Sequence, residues 1–354
     1  GSTTTATPAA TSTPTSNTSE SSVETASSSS SIEVVVHNFS TDRTTRHTAD
    51  APVTGGSGSE NADTIADDRV WVRNDTEYAP WDSEFSPIVS IDIGFDRGGG
   101  VCTGALVDES HVLTSAHCIY NNTAQEWATS VTVAPGAEQV GTETTRSYAT
   151  AEAVLARTYA PFVDATGPDD VQRKLNDMAL LTVDRPLGER AGTLDFAYEG
   201  DTSVDPSVYD GYRVDVAGYP GTPPKTSAPY PTLWWDHGEA TGDICETKLW
   251  GFLKSCRERA LTYDVYTSQG QSGAPVIHNP PWVTEGDFLT SDAVILAVHS
   301  YSDSGDGGSE HGWGPRITPT RSEHIESWIA TDDGASSGDA FAYRATGEPV
   351  LSFA

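Results

Sequence analysis

The apolar residues of this chain come in short bursts, and that pattern constrains the fold more than any other feature. From about Asn61 onward the bursts stand between Gly, Pro, Asn and Asp punctuation: Ile88–Ile93, Ala105–Val107, Val112–Thr114, Val131–Val133, Met178–Val183, Arg213–Ala217, Val276–Ile277 and Ala293–Val298. Most have the length of a strand and are rich in Val and Ile, whose branched side chains pack well on a pleated surface. An all-β barrel or sandwich is therefore expected. Helical periodicity is convincing only near the end, around Ser322–Ala330, where Ile325, Trp328 and Ile329 share a face.

The segments before and after this region differ in composition. Residues 1–31 are dominated by Ser, Thr, Ala and Pro. They cannot bury enough apolar surface to offset chain entropy, so disorder is expected there. Residues 32–60 hold one strand-like run, Ile32-Glu33-Val34-Val35-Val36, then polar and Gly-rich sequence, and read as a pro-region or tether. The globular domain is expected over 61–334, with 335–354 as a C-terminal tail. No cationic-then-apolar leader opens the chain, and no apolar run is long enough to span a bilayer as a helix, so a soluble chain is expected, any export signal having been removed or never included.

Charge and cysteine usage narrow the function classes. The chain carries 51 acidic against 20 basic residues, a formal net charge of −31. Such an excess repels nucleic acid and anionic membranes. The acidic residues are spread over the whole globular part, which favours adaptation to high salt. At about 1 M salt the Debye length is roughly 3 Å, and self-repulsion is screened. The four cysteines fall as two local pairs, Cys102 with Cys118 and Cys245 with Cys256. Neither pair has CxxC spacing and no His cluster accompanies them, so no metal site is expected. Four cysteines allow three connectivities; the local pairing, 102–118 and 245–256, is the one expected, in an oxidising compartment. Asn17, Asn38, Asn74 and Asn121 begin N-x-Ser/Thr sequons that permit glycosylation in an exported protein.

Three segments carry chemistry. Leu113-Thr114-Ser115-Ala116-His117-Cys118 ends an apolar run in a histidine beside a cysteine; Asn176-Asp177-Met178-Ala179-Leu180-Leu181 opens an apolar run with an aspartate; Gly270-Gln271-Ser272-Gly273 flanks a serine with glycines. A neutral serine hydroxyl is a poor nucleophile and needs a base to take its proton. An imidazole accepts that proton and returns it to the leaving group, and a buried carboxylate fixes the imidazole tautomer. Glycines around the serine let the backbone N–H groups of Gly270 and Ser272 converge on a developing oxyanion. Singly each signal is weak. Together, in the order His117, Asp177, Ser272, they point to acyl transfer.

The match to a known family extends beyond these residues. Asp67-Asp68-Arg69-Val70, Cys102-Thr103-Gly104, Ala116-His117-Cys118-Ile119-Tyr120, Ala217-Gly218-Tyr219-Pro220-Gly221, Gly270-Gln271-Ser272-Gly273 and Leu296-Ala297-Val298-His299 together resemble the trypsin/chymotrypsin superfamily and, within it, the bacterial glutamyl endopeptidases. The resemblance covers about residues 62–330. It implies two six-stranded antiparallel β-barrels with the active site in the cleft between them, followed by the C-terminal helix. It also implies a secreted, monomeric serine endopeptidase acting on proteins or peptides without a cofactor.

Specificity follows from positions near the serine. Trypsin-like preference for Lys or Arg needs an aspartate six residues before the nucleophile, where this chain has Tyr266. In the glutamyl endopeptidases a Thr or Ser before the nucleophile and a histidine after it hold the substrate carboxylate. Those positions read Thr267 and His299. A buried carboxylate needs a cationic or hydrogen-bonding partner, and both residues qualify. His311 and Arg316 are further cations without an assigned place. Aligning Asp67-Asp68-Arg69 with the mature start of the family puts the mature terminus near Asn61 or Ala62, and Glu60–Asn61 is a Glu-type bond there that a self-maturing proenzyme would cut. The rival readings are a protease of this fold with another specificity, and a catalytically silent surface-binding module.

Overall fold

The computed structural model of the chain describes Gly1 and residues 32–49, 69–73, 79–80, 84–167, 170–198, 208–221, 230–245, 248–250, 253–255, 259–279, 293–302 and 311–336. The expected disorder of 2–31, the processing site at 60–61, the sequons at 17 and 74, the cysteine at 256 and the tail from 337 all lie outside the described residues. So does the second disulfide as a pair, and nothing is described of the Cys245 side chain.

The strands wrap into two closed barrels. In the first, Ile88–Phe95, Gly98–Asp108, His111–Thr114, Ser130–Pro135, Ala151–Tyr159 and Ala179–Val183 form the ring. Ala151–Tyr159 closes it by pairing with Ser130–Pro135 near its start and with Ala179–Val183 along the rest. In the second, Arg213–Gly218, Leu233–Cys245, Arg259–Tyr263, Pro275–His278, Val294–Val298 and Gly312–Pro315 form the sheet. A bridge between Ala297 and Arg316, with the Ile317 N–H donating to the Leu296 carbonyl at 2.6 Å, closes this ring. The double-barrel expectation is met.

Each apolar burst named above falls within or against one of these strands. Four barrel strands give no such signal: Ala151–Tyr159, Leu233–Cys245, Arg259–Tyr263 and Gly312–Pro315. Their small and polar residues hide the pattern, and Leu233–Cys245 also shifts register between Ala240 and Gly242, which breaks strict alternation.

Upstream of the barrels, Ile32–Asn38 and Arg43–Ala49 form a hairpin on the first sheet. Val34 pairs with Tyr159 and Val36 with Arg157. Val34 and Val35 are buried, and Arg46 pairs with Asp164 at 2.6 Å. The strand-like run at 32–36 is thus part of the barrel's sheet.

The C-terminal helix spans Pro319–Ser336, longer at both ends than the apolar face at 322–330 suggests. Its last turns are held by polar groups that a hydrophobic pattern does not register. Asp332 forms a buried ion pair with Arg157 and accepts from Thr182 Oγ1 at 2.5 Å. Ile325 and Trp328 join an apolar cluster with Leu180, Tyr219 and Ile295, residues from both barrels. The helix therefore packs where the two barrels meet.

Candidate active site

The histidine segment leaves the strand His111–Thr114 and turns through a short 3-10 helix, Ala116–Cys118. Cys118 is joined to Cys102 on the neighbouring strand, which pins the turn beside the cleft. Asp177 ends the turn after the helix Val171–Leu175 and is fully buried. Its two carboxylate oxygens take both donors that His117 offers on that side: the backbone N–H at 2.8 Å and Nδ1 at 2.7 Å. The imidazole is thereby fixed with its proton on Nδ1. Two serines that the sequence reading did not single out lock this corner across the barrels. Ser300 Oγ donates to the Asp177 backbone carbonyl at 3.1 Å, and Ser115 Oγ lies 2.8 Å from Ser300 Oγ.

Ser272 reaches the same corner through its backbone. Its carbonyl accepts from the Thr103 N–H at 2.8 Å and lies 3.7 Å from Sγ of Cys118, the neighbour of His117. Thr103 Oγ1 donates to the Gly270 carbonyl at 3.0 Å and accepts from the Tyr219 N–H at 2.9 Å. The Cys102-Thr103-Gly104 motif thus supplies a disulfide and a clamp on the serine loop. Among the described residues, neither Nε2 of His117 nor the hydroxyl of Ser272 has a hydrogen-bond partner. The third contact of the constellation is open in this arrangement, as it often is without substrate.

The glycines flanking the serine are required by shape. Gly270 has φ +97° and Gly273 φ +86°. A Cβ on Gly270 would overlap the Gly221 nitrogen, and one on Gly273 would overlap the Thr103 carbonyl oxygen. Within the loop the amides of Gln271, Gly273 and Ala274 are spent on Ser268, His299 and Gln271 carbonyls. The amides of Gly270 and Ser272 have no protein partner among the described residues.

Beside the loop lie Thr267 and His299, both buried. Thr267 Oγ1 has no hydrogen-bond partner. His299 Nδ1 lies 2.6 Å from the Tyr263 hydroxyl. Burial, reinforced by electrostatic repulsion from the neighbouring His117 imidazole when it is protonated, pushes the His299 pKa down to about 3, so the ring is neutral. Burial also drives the Tyr263 pKa up, so its hydroxyl keeps its proton. Donation from that hydroxyl to Nδ1 satisfies the buried O–H and leaves the His299 proton on Nε2. Arg316 and His311 lie elsewhere. Arg316 is fully buried against Asp243 and Tyr209, and His311 pairs with Asp264 at 2.7 Å. One group of three potential metal-ligand side chains occurs among the described residues, Cys102, His117 and Cys118, and its two sulfurs are joined in the disulfide.

Residues 84–318 match the family described as Trypsin. The chain belongs to the trypsin family. Among its relatives is the glutamyl endopeptidase of Bacillus licheniformis, 28% identical over 263 residues that take in 74% of this chain and 67% of that protein. A Bacillus subtilis protein named extracellular metalloprotease is 26% identical over 227 residues, 64% of this chain and 58% of its own length. Among solved structures, a Glu endopeptidase in complex with MPD superposes with a TM-score of 0.52 at 20% identity, covering 74% of this chain and 96% of that one. In this trypsin-family chain the candidate site lies at the junction that Ser115, Ser300 and Thr103 tie together.

Proposed function

We propose that the chain is a secreted, monomeric serine endopeptidase that cleaves proteins and peptides after Glu, or after Asp, through an acyl-enzyme intermediate. His117 takes the Ser272 proton as Oγ attacks the scissile carbonyl, then donates it to the leaving amine. Asp177 holds the imidazole tautomer and stabilises the imidazolium. The unspent amides of Gly270 and Ser272 receive the oxyanion. Water then releases the acyl group by the same route, with no metal or cofactor in the scheme.

The observation that carries the specificity is the pair of unspent donors beside the serine. Thr267 Oγ1 is buried without a partner, an arrangement that costs about 1–3 kcal/mol unless a ligand completes it. The Nε2–H of a neutral His299 offers a second donor. A side-chain carboxylate before the scissile bond fits both. At position 266 the chain has a tyrosine in place of an acidic residue, so an incoming Lys or Arg finds no counter-charge there. The similarity to a glutamyl endopeptidase points the same way.

The net charge of −31 sets the working condition. Acidic substrates are repelled at low ionic strength and admitted when salt shortens the Debye length. Maturation by a cut at Glu60–Asn61 completes the reading, since that bond has the chain's own specificity. The test is cleavage-site mapping on a denatured protein at low and high salt. Cuts after Glu and Asp, faster at high salt, are expected. Cuts after large apolar or basic residues would overturn the specificity, and no cuts at all would favour a silent binding module. An identical new N-terminus in wild type and in Ser272→Ala incubated alone would overturn self-maturation.

A further inference from the structure

Arg69 stands immediately before the short strand Val70–Val72, which pairs antiparallel with Leu233–Trp235 of the second barrel. Its side chain turns inward and is 7% exposed. Nη1 donates to Ser268 Oγ at 2.7 Å and to Gln271 Oε1 at 3.1 Å, and the guanidinium lies 4.7 Å over the Tyr266 ring. These three residues surround Thr267 and run up to Ser272.

The same residues form one closed turn. The Gln271 N–H donates to the Ser268 carbonyl at 3.0 Å, and Gln271 Oε1 accepts in return from the Ser268 N–H at 3.0 Å. Gly270 is the third residue of that turn, with its positive φ. A buried guanidinium donating to both ends of the turn resists its opening, because charge-assisted hydrogen bonds from a planar donor are stronger and more directional than neutral ones. The amides that leave this turn are those of Gly270 and Ser272.

We propose that Arg69 is a positioning residue for the serine loop: it braces the Ser268–Gln271 turn so that the Gly270 and Ser272 amides face the oxyanion, and it does so in the uncut chain. The second half follows from where the brace is anchored. It is a side chain within the polypeptide, held by its own strand pairing, so it needs no new chain terminus. A cut upstream of Arg69 leaves it in place. The inference rests on the serine-protease reading above.

The experiment compares wild type, Arg69→Met, Arg69→Lys, Gln271→Ala and the Arg69→Met/Gln271→Ala double variant. For each, kcat and KM on one peptide are measured together with the rate of labelling by a fluorophosphonate, followed by intact mass. Arg69→Met is expected to lower kcat and the labelling rate about 10- to 100-fold, less than the roughly 100- to 1,000-fold cost of removing an oxyanion donor outright, with KM changed much less. Arg69→Lys should fall between, and the double variant should be little worse than Gln271→Ala. Full-length wild-type chain should label as fast as trimmed chain.

Wild-type kcat in a folded Arg69→Met, or effects that multiply in the double variant, would overturn the brace while leaving the protease reading intact. If Arg69→Met does not fold, Arg69→Lys decides, and a wild-type kcat there overturns the guanidinium brace. Labelling confined to trimmed chain overturns action in the uncut form. No labelling of any wild-type species brings down the protease reading itself, and the brace with it.

Discussion

Two histidine–aspartate pairs sit at opposite ends of one strand of the first barrel, His111–Thr114, and their surroundings differ. At the cleft end, His117 is 25% exposed, bonds Asp177 through Nδ1 and keeps Nε2 unpaired. At the far end, His111 is 1% exposed, with Nδ1 on Asp108 at 2.9 Å and Nε2 on Asp332 at 3.2 Å. Burial alone would lower the His111 pKa, but the two carboxylates outweigh it and raise the value to about 8. Asp332 is likewise disfavoured as an anion by burial, yet His111, Arg157 and Thr182 pull its pKa down to about 2. A histidine with both nitrogens committed to carboxylates is a cationic rivet for the C-terminal helix. One with a single nitrogen committed can shuttle a proton. The residue types alone do not separate the two jobs; the number of occupied nitrogens does.

The largest test of that contrast is removal of each imidazole. His117→Ala, like Ser272→Ala, should lower kcat about a millionfold. His111→Asn should leave kcat within about twofold at a temperature where the variant is folded. A comparable kcat loss at both histidines would break the comparison. The aspartates follow. Asp177→Asn should cost about ten-thousandfold in kcat with little change in melting temperature, through the wrong imidazole tautomer. Asp332→Asn should spare kcat but cost about 3–5 kcal/mol in chemical denaturation, because Arg157 and His111 lose their buried partner.

The pH response sharpens the contrast further. His111 has a raised folded-state pKa, so its contribution is complete below the unfolded value of about 6.5 and fades as pH rises through about 8. The difference corresponds to about 2 kcal/mol, or a fall of about 4 °C in melting temperature between pH 6 and pH 9. A pH scan of melting should show that slope in wild type and lose it in His111→Asn. The smallest expected effect is at the pocket. Thr267→Val should lower kcat/KM about tenfold for peptides with Glu before the scissile bond and leave other peptides unchanged, one lost hydrogen bond being worth about 1.4 kcal/mol. Equal losses on all peptides would remove Thr267 from the specificity pocket.

Much of this molecule was legible before its fold was known. The Val- and Ile-rich bursts placed most barrel strands, because a pleated half-buried strand writes its pattern locally. The motifs around His117, Asp177 and Ser272 were equally readable, since a glycine at positive φ or a disulfide beside the histidine leaves a fixed residue type at a fixed place. Other features had no local signature. Ala151–Tyr159 joins both edges of a barrel with small and polar residues, and Asp332 anchors a helix through partners about 150 to 220 residues away in sequence.

The sequence by itself determined the fold class, the identity of the candidate reacting groups and the excess of negative charge, all of which depend on residue type and near neighbours. Only the tertiary structure decided which histidine keeps a free nitrogen, which buried hydroxyl goes unpaired, and that Arg69 reaches the serine loop. Those are properties of closure. They arise when two barrels and a terminal segment meet, and they depend on which polar groups are left over once all the others have been satisfied.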